Sequence, residues 1–236
     1  DYIIADENVV KEKNYDDDSK IIKMPKIWNS LSKLNDVKNN ELPFIKNKIF
    51  TFGCFNNFLK ISDETIEIWA KILSKFSNSR LVLKNSVSAD KNYKKYLIKK
   101  FENKIDENRI FILNYEKEKK KHLEHYLNID LSLDTFPYNG VTTTFESLWM
   151  GVPVITLKGD RFISRCGYSI NKNAGLKDFT ADTKEDYISI ALNSCTEHGV
   201  DELKNYRKNL RSKIINSPLF DVQNFSDNFV DKLNKL

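Results

Sequence analysis

The sequence predicts an α/β fold around a doubly wound parallel sheet. Three observations carry this. From residue 49 onward, short apolar runs alternate with segments of helical period. The helical segments are long enough to be crossovers, which makes the strands parallel and their connections right-handed. The chain has 236 residues, of which 40% are hydrophobic, enough for one large domain with a real core.

The elements follow in order. Ile49-Phe50-Thr51-Phe52 reads as a strand. Ser62 suits a helix N-cap, and Asp63 and Glu64 fall in the first turn, where acids complement the helix dipole. Ile66, Trp69, Ile72, Leu73 and Phe76 then share one helical face. Arg80-Leu81-Val82-Leu83 is a second strand, and Tyr93, Tyr96, Leu97 and Phe101 mark a helix. Arg109-Ile110-Phe111-Ile112-Leu113 is a third strand, followed by a helix over 116–127. Ile129-Asp130-Leu131-Ser132-Leu133 is a fourth strand and 144–150 a helix. Val152-Pro153-Val154-Ile155-Thr156-Leu157 is a fifth strand. Beyond Lys158 the chain reads as mostly helical, with amphipathic helices at 201–216 and 221–236 separated by Ser217-Pro218. A doubly wound sheet binds ligands at the carboxyl ends of its strands.

Residues 1–47 read as a polar, irregular tail or linker, and the boundary falls near Pro43, leaving a lobe over 48–236. Ile21-Ile22-Lys23-Met24-Pro25 and Trp28 are the apolar anchors of that tail. The chain begins Asp1-Tyr2-Ile3-Ile4-Ala5-Asp6, with no initiator Met and no signal-peptide pattern, and reads as a piece of a longer protein.

Composition excludes several classes. A net charge of +5 on 30% charged residues describes a mildly basic, Lys-rich protein without the dense basic stripe of a nucleic-acid binder. No apolar run reaches the roughly 18 to 20 residues of a membrane span. Cys54, Cys166 and Cys195 are far apart and odd in number, so neither structural zinc nor a disulfide framework is expected, and a cytoplasmic setting fits. There is no GxGxxG, P-loop or GxSxG sequence.

Three stretches suggest ligand chemistry. In the run from Leu133 to Glu146 a strand ends, a loop with Pro137 and Gly140 follows, and Thr142, Thr143 and Thr144 open a helix. Backbone N–H groups at a helix start attract anions, and Glu146, one turn in, suits ribose hydroxyls. The same residues also fit a plain helix start with Thr142 as N-cap. Asn57 and Lys60 follow the first strand and suit a diphosphate, or form an ordinary surface loop. His122 and His125 lie three apart on one helix, a spacing open to metal ligands, to surface residues or to contact with a base; no third ligand completes a metal set. The letters of a metal-binding motif in Asp16-Asp17-Asp18 do not end a strand and carry no weight.

The run from Thr51 to Ile61 resembles the O-linked N-acetylglucosamine transferase family and its bacterial relatives. So do Pro137 to Val154, Gly159-Asp160-Arg161 with Ser164-Arg165, Gly175-Leu176, and Ser217-Pro218-Leu219-Phe220-Asp221. The opening Asp1 to Asp6 and Lys23-Met24-Pro25 are similar to the end of the family's first catalytic lobe. The resemblance implies the C-terminal half of a GT-B fold, whose two lobes are Rossmann-like. It implies inverting, metal-independent transfer, with no cofactor, of N-acetylglucosamine from a UDP-sugar to Ser or Thr of a polypeptide. Matched by position, Asn57 and Lys60 face the diphosphate, and Lys60 stabilises the leaving group. Thr142 and Thr143 hold the phosphates and Glu146 the ribose. His122 and His125 lie beside the uracil, with Lys119 nearby. Relatives often carry glutamine where Asn57 stands and arginine where His125 stands. The first lobe is absent except for its tail, and no tetratricopeptide array is present. The alternatives are another donor such as GDP-fucose, or a non-catalytic nucleotide- or protein-binding module of the same fold.

Overall fold

The structure, a computed structural model, describes residues 2–10, 20–84 and 90–236. Asp16-Asp17-Asp18 lie outside the described residues.

The lobe is organised by one parallel sheet. Its central strand β3 (Phe50–Cys54) is buried along its whole length, which explains a continuous apolar run in place of an alternating one. β3 pairs with β4 (Ser79–Leu83) on one side and β6 (Leu131–Leu133) on the other. β5 (Ile110–Ile112) extends the sheet beyond β4; β7 (Val154–Leu157) and then β8 (Thr180–Ala181) extend it beyond β6. Every pairing is parallel, and the order is β5-β4-β3-β6-β7-β8. Successive strands therefore step outward from β3 in one direction and then, from β6, in the other. Right-handed crossovers on both sides of that reversal put helices on opposite faces and open a crevice at the carboxyl ends of β3 and β6.

The helices support this frame. α2 (Asp63–Lys75) starts where expected: Ser62 Oγ accepts the Thr65 N–H at 3.1 Å, with Asp63 and Glu64 in the first turn. It buries Ile66, Trp69, Ile72 and Leu73 and packs against α3 (Lys91–Phe101) and α7 (Lys184–Asn193). On α7, the buried Tyr187 hydroxyl receives the Trp69 indole N–H at 3.3 Å. α5 (Thr142–Trp149) packs against α6 (Cys166–Ala174) and α8 (Glu197–Ile214). The buried Arg207 of α8 donates to the carbonyls of Tyr126, Ile129 and Met150, binding α8 to the segments that precede β6 and follow α5.

The structure departs from the sequence reading in three places. β8 is a sixth strand where the chain read as mostly helical; two residues are too few to show a period. The expected helix over 116–127 is a short α4 (Lys119–Glu124) followed by a 3-10 turn over His125–Asn128. The opening segment is not wholly irregular: β1 (Ile3–Ala5) and β2 (Ile21–Lys23) form a two-stranded parallel sheet. Asp6, 1% exposed, accepts from the N–H groups of Asn8, Val9 and Trp28 and from the Ser169 hydroxyl of α6. Ile27, Val37 and Leu42 join the main core, and α1 (Pro43–Asn47) is held by Asp130, which accepts the Phe44 and Thr51 N–H groups at 2.8 Å each. α9 (Val222–Leu233) closes the chain with no buried residue. No helix among the described residues is long and apolar enough to cross a membrane.

Candidate functional site

The site grows from a single buried carboxylate at the end of β6. Asp134 is 2% exposed and sits where the strand gives way to a loop. Its Oδ1 accepts the backbone N–H of Gly140 at 2.7 Å, that of Thr135 at 2.9 Å, and the Asn56 amide at 2.9 Å. Its Oδ2 accepts the Thr156 hydroxyl at 2.8 Å. All four donors are neutral, so burial prevails over hydrogen bonding and pushes this carboxyl up to about 6. The loop from 135 to 140 is thereby wound around the carboxylate. α2 holds it from outside: the Ser62 and Thr65 hydroxyls both donate to the Phe136 carbonyl, at 2.9 and 2.8 Å.

Asn56 ties this loop to the one after β3. Its amide nitrogen reaches Asp134 and Thr135, and its oxygen receives the Thr143 hydroxyl. Gly140 lies against this contact. A Cβ there would overlap the Asn56 oxygen and stand 2.7 Å from Thr143 Oγ1, so only glycine lets the two loops close up.

Lys60 ends the 3-10 turn Phe58–Lys60 that follows β3. Its ammonium donates to the Asn139 carbonyl at 2.9 Å and lies 3.8 Å from the centre of the Tyr138 ring. Burial lowers its pKa, and the nearby Asp134 works in the opposite sense. Asn57 caps the same turn, its side-chain oxygen taking the Leu59 N–H at 3.0 Å. α5 opens beside this cation. Its N-cap is Val141, which makes no side-chain cap, so Thr142 is not the N-cap of the plain reading. The Thr144 and Phe145 N–H groups bond to Val141 O, leaving those of Thr142 and Thr143 at the helix's open, electropositive end.

One turn on, Glu146 faces α4. Its Oε2 lies 3.0 Å from His122 Nε2 and receives the Tyr126 hydroxyl at 3.3 Å; the same hydroxyl reaches Thr143 O at 3.2 Å. His122 Nδ1 lies 2.6 Å from Nζ of Lys84, which is 1% exposed and follows β4 directly. His125 is half-buried; burial lowers its pKa, and the charge on Lys84 lowers it further. Lys119 is exposed in the first turn of α4.

The structure thus brings Lys60, Thr142, Thr143, Glu146 and His122 to one crevice at the sheet's reversal point. Asn57 spends its oxygen on its own turn, Lys119 is exposed on α4, and His125 is half-buried just after it. His122 is engaged by Lys84 and Glu146, and among the described residues no three His, Cys, Asp or Glu side chains gather as a metal cage. Sequence reasoning missed Asn56, Lys84, Tyr126 and Asp134. A signal existed for two of them: Lys84 and Asp134 are charged residues placed immediately after the apolar runs of β4 and β6, at the ligand end of the sheet. Beside the Pro137 loop lies an open cleft of about 780 Å³, lined by Phe136, Leu157, Lys158, Arg161 and Lys184 among others; Lys60, Thr142, Thr143, Glu146 and His122 do not line it.

Comparison with known proteins agrees with this fold. Residues 36–229 match the family described as Glycosyl transferase family 41. A barley protein (Hordeum vulgare), named probable UDP-N-acetylglucosamine–peptide N-acetylglucosaminyltransferase SPINDLY, is 38% identical over 185 residues, covering 78% of this chain and 19% of its own length. A Caenorhabditis elegans protein named UDP-N-acetylglucosamine–peptide N-acetylglucosaminyltransferase is 31% identical over 186 residues, 78% of this chain and 16% of its own. The structure of a mutant Thermobaculum terrenum O-GlcNAc transferase superposes with a TM-score of 0.84 at 26% identity, over 100% of this chain and 44% of that one. The chain therefore spans about a fifth of the length of the curated relatives it matches. Its sheet is that of a GT-B glycosyltransferase lobe. By sequence pattern over most of its length, the chain belongs to glycosyl transferase family 41.

Proposed function

We propose that this chain is the donor-binding lobe of a glycosyltransferase that moves N-acetylglucosamine, or a similar sugar, from a UDP-sugar to a Ser or Thr hydroxyl of a polypeptide. Transfer proceeds with inversion and without a metal ion. The observation that carries the reading is the meeting of Lys60, the open start of α5 and Glu146 at the sheet's reversal crevice. Names of the barley and nematode relatives support the donor and the class of acceptor.

Each residue then has a task. Breaking the glycosidic bond leaves negative charge on the departing diphosphate. Lys60 and the N–H groups of Thr142 and Thr143 offset that charge in a partly dehydrated setting, where a preformed cation is worth more than in water. To reach a phosphate, Lys60 exchanges the Asn139 carbonyl for it. Asn57 borders the diphosphate, Glu146 accepts from the ribose hydroxyls, and His122, His125 and Lys119 flank the uracil. The acceptor side of the cleft belongs to a further lobe, with tetratricopeptide repeats before it, in a longer protein. The three free cysteines suit a reducing cytoplasm.

Calorimetry tests the reading. UDP should bind better than GDP, and a chelator should change nothing. The chain alone should transfer no labelled sugar to peptides, and a chain that includes the other lobe should. A preference for GDP, a strict need for Mg²⁺, or robust transfer by residues 1–236 alone would each overturn part of it.

A further inference from the structure

Lys84 belongs to neither loop that holds the proposed diphosphate site, yet it is a buried ammonium within reach of that site's side chains. Burying a charge without a partner is costly, and burial does lower this amine's pKa, with Glu146 acting in the opposite sense. Among the described residues Lys84 forms no direct ion pair. Its Nζ contacts His122 Nδ1 at 2.6 Å, and the far side of that imidazole contacts Glu146 Oε2 at 3.0 Å. The ring therefore stands between a cation and an anion, with one nitrogen turned to each.

Proton inventory fixes what that ring must be. An ionised carboxylate only accepts, so Nε2 must carry a hydrogen to bond Glu146. An ammonium only donates, so Nδ1 must be bare to accept from Lys84. A hydrogen on Nδ1 would set two donors face to face at 2.6 Å. Oε2 then takes two donors, His122 Nε2–H and the Tyr126 hydroxyl, while among the described residues Oε1 receives no hydrogen bond. The carboxylate is held by one oxygen with the other left to accept from a ligand.

We propose that Lys84 is a positioning residue. It locks His122 as the neutral Nε2–H tautomer, so that His122 and Tyr126 together orient Glu146 for the two adjacent hydroxyls of a nucleotide ribose. Lys84 does not itself touch the ligand, and both ring nitrogens of His122 are spent on the protein, so that histidine offers a base its ring face and not a hydrogen bond. This rests on the reading of Glu146 as the ribose acceptor. It deepens that reading by naming what aims the carboxylate, as outer hydrogen bonds aim the ligating histidines of other sites.

The experiment has two independent arms. ¹⁵N-histidine NMR of the chain without nucleotide, with His122 assigned by loss of its signal in His122→Gln, should show the neutral Nε2–H tautomer. Lys84→Met should abolish that signature, and Lys84→Gln, which keeps a donor, should largely restore it. In calorimetry, Lys84→Met should weaken UDP about tenfold, the size of one hydrogen bond, and leave inorganic pyrophosphate unchanged. The same substitution in a His122→Gln background should add nothing, because both changes break one chain of contacts. A protonated His122 or the Nδ1–H tautomer in the unsubstituted chain overturns the proposal even if the variants do not fold. Additive losses from Lys84→Met and His122→Gln overturn it as well. A correct tautomer combined with normal UDP binding by Glu146→Gln would instead overturn the ribose reading and leave the lock standing.

Discussion

The two ends of the crevice are built on opposite principles. At the phosphate end a fully buried carboxylate, Asp134, collects four neutral donors from three segments of chain and sets the backbone around it. At the ribose and base end the carboxylate is Glu146, only partly buried, and its partners are side chains: a tyrosine, a histidine and, behind the histidine, an ammonium. The first arrangement shapes a loop and offers the ligand backbone N–H groups and one cation. The second aims a single oxygen. Removing the carboxylate of the first should therefore damage the fold, whereas removing the carboxylate of the second should damage recognition.

The largest effect expected from this contrast is on stability. Asp134→Ala strands the Gly140 and Thr135 N–H groups, the Asn56 amide and the Thr156 hydroxyl together. At about 1–3 kcal/mol for each unsatisfied donor, the loss should reach about 4 kcal/mol or more in urea unfolding. A loss under about 1 kcal/mol would mean that the loop does not depend on its carboxylate.

The same residue gives the contrast a pH dependence. Its carboxyl is pushed from the ordinary 3.8 up to about 6, so between those values the folded state holds the proton more firmly than the unfolded chain does. Its contribution to stability therefore falls as pH rises from about 4 to about 6 and then levels off, by about 3 kcal/mol at most. Asp134→Asn keeps an oxygen for the three Oδ1 donors and turns its amide to the Thr156 hydroxyl. Relative to the unsubstituted chain, that variant should gain stability across this interval; parallel curves would remove the titration from Asp134.

Lys60 sits between the two regimes: a side chain resting on the Asn139 carbonyl of the phosphate-end loop. Lys60→Ala should weaken UDP and pyrophosphate alike, by roughly 10- to 150-fold, the worth of about 1.5–3 kcal/mol for a charged hydrogen bond. Equal binding by a folded variant would place the diphosphate elsewhere.

The same contrast explains what the sequence could reveal. The first five strands of the main sheet, β3 to β7, and the capped start of α2 are local matters of apolar runs and Ser62 with its acids, and they were legible. β8 was not, because two residues in register with Thr156 and Leu157 owe their state to a neighbour and not to their own pattern. At the site, Lys60, Thr142, Thr143 and Glu146 were singled out because they follow strands or open a helix. Asn56 and Tyr126 owe their places to bonds that span 78 to 87 positions and 17 to 20 positions respectively. The histidine pair suggested contact with a base; that one ring nitrogen also meets Lys84, 38 positions away in sequence, was not legible. Such pairings are fixed by topology, which puts the ends of β3, β4 and β6 side by side.

The central claim, that Glu146 recognises ribose while Lys60 and the start of α5 recognise phosphate, is tested most directly by one ratio. UDP and pyrophosphate affinities should be measured by calorimetry for the unsubstituted chain and for Glu146→Gln. Replacing the carboxylate removes an anionic acceptor without disturbing the helix start. UDP should weaken about tenfold, the worth of about 1.4 kcal/mol, with pyrophosphate nearly unchanged. Equal losses for both ligands, or no loss for either in a normally folded variant, would contradict the division of the crevice into a phosphate end and a ribose end.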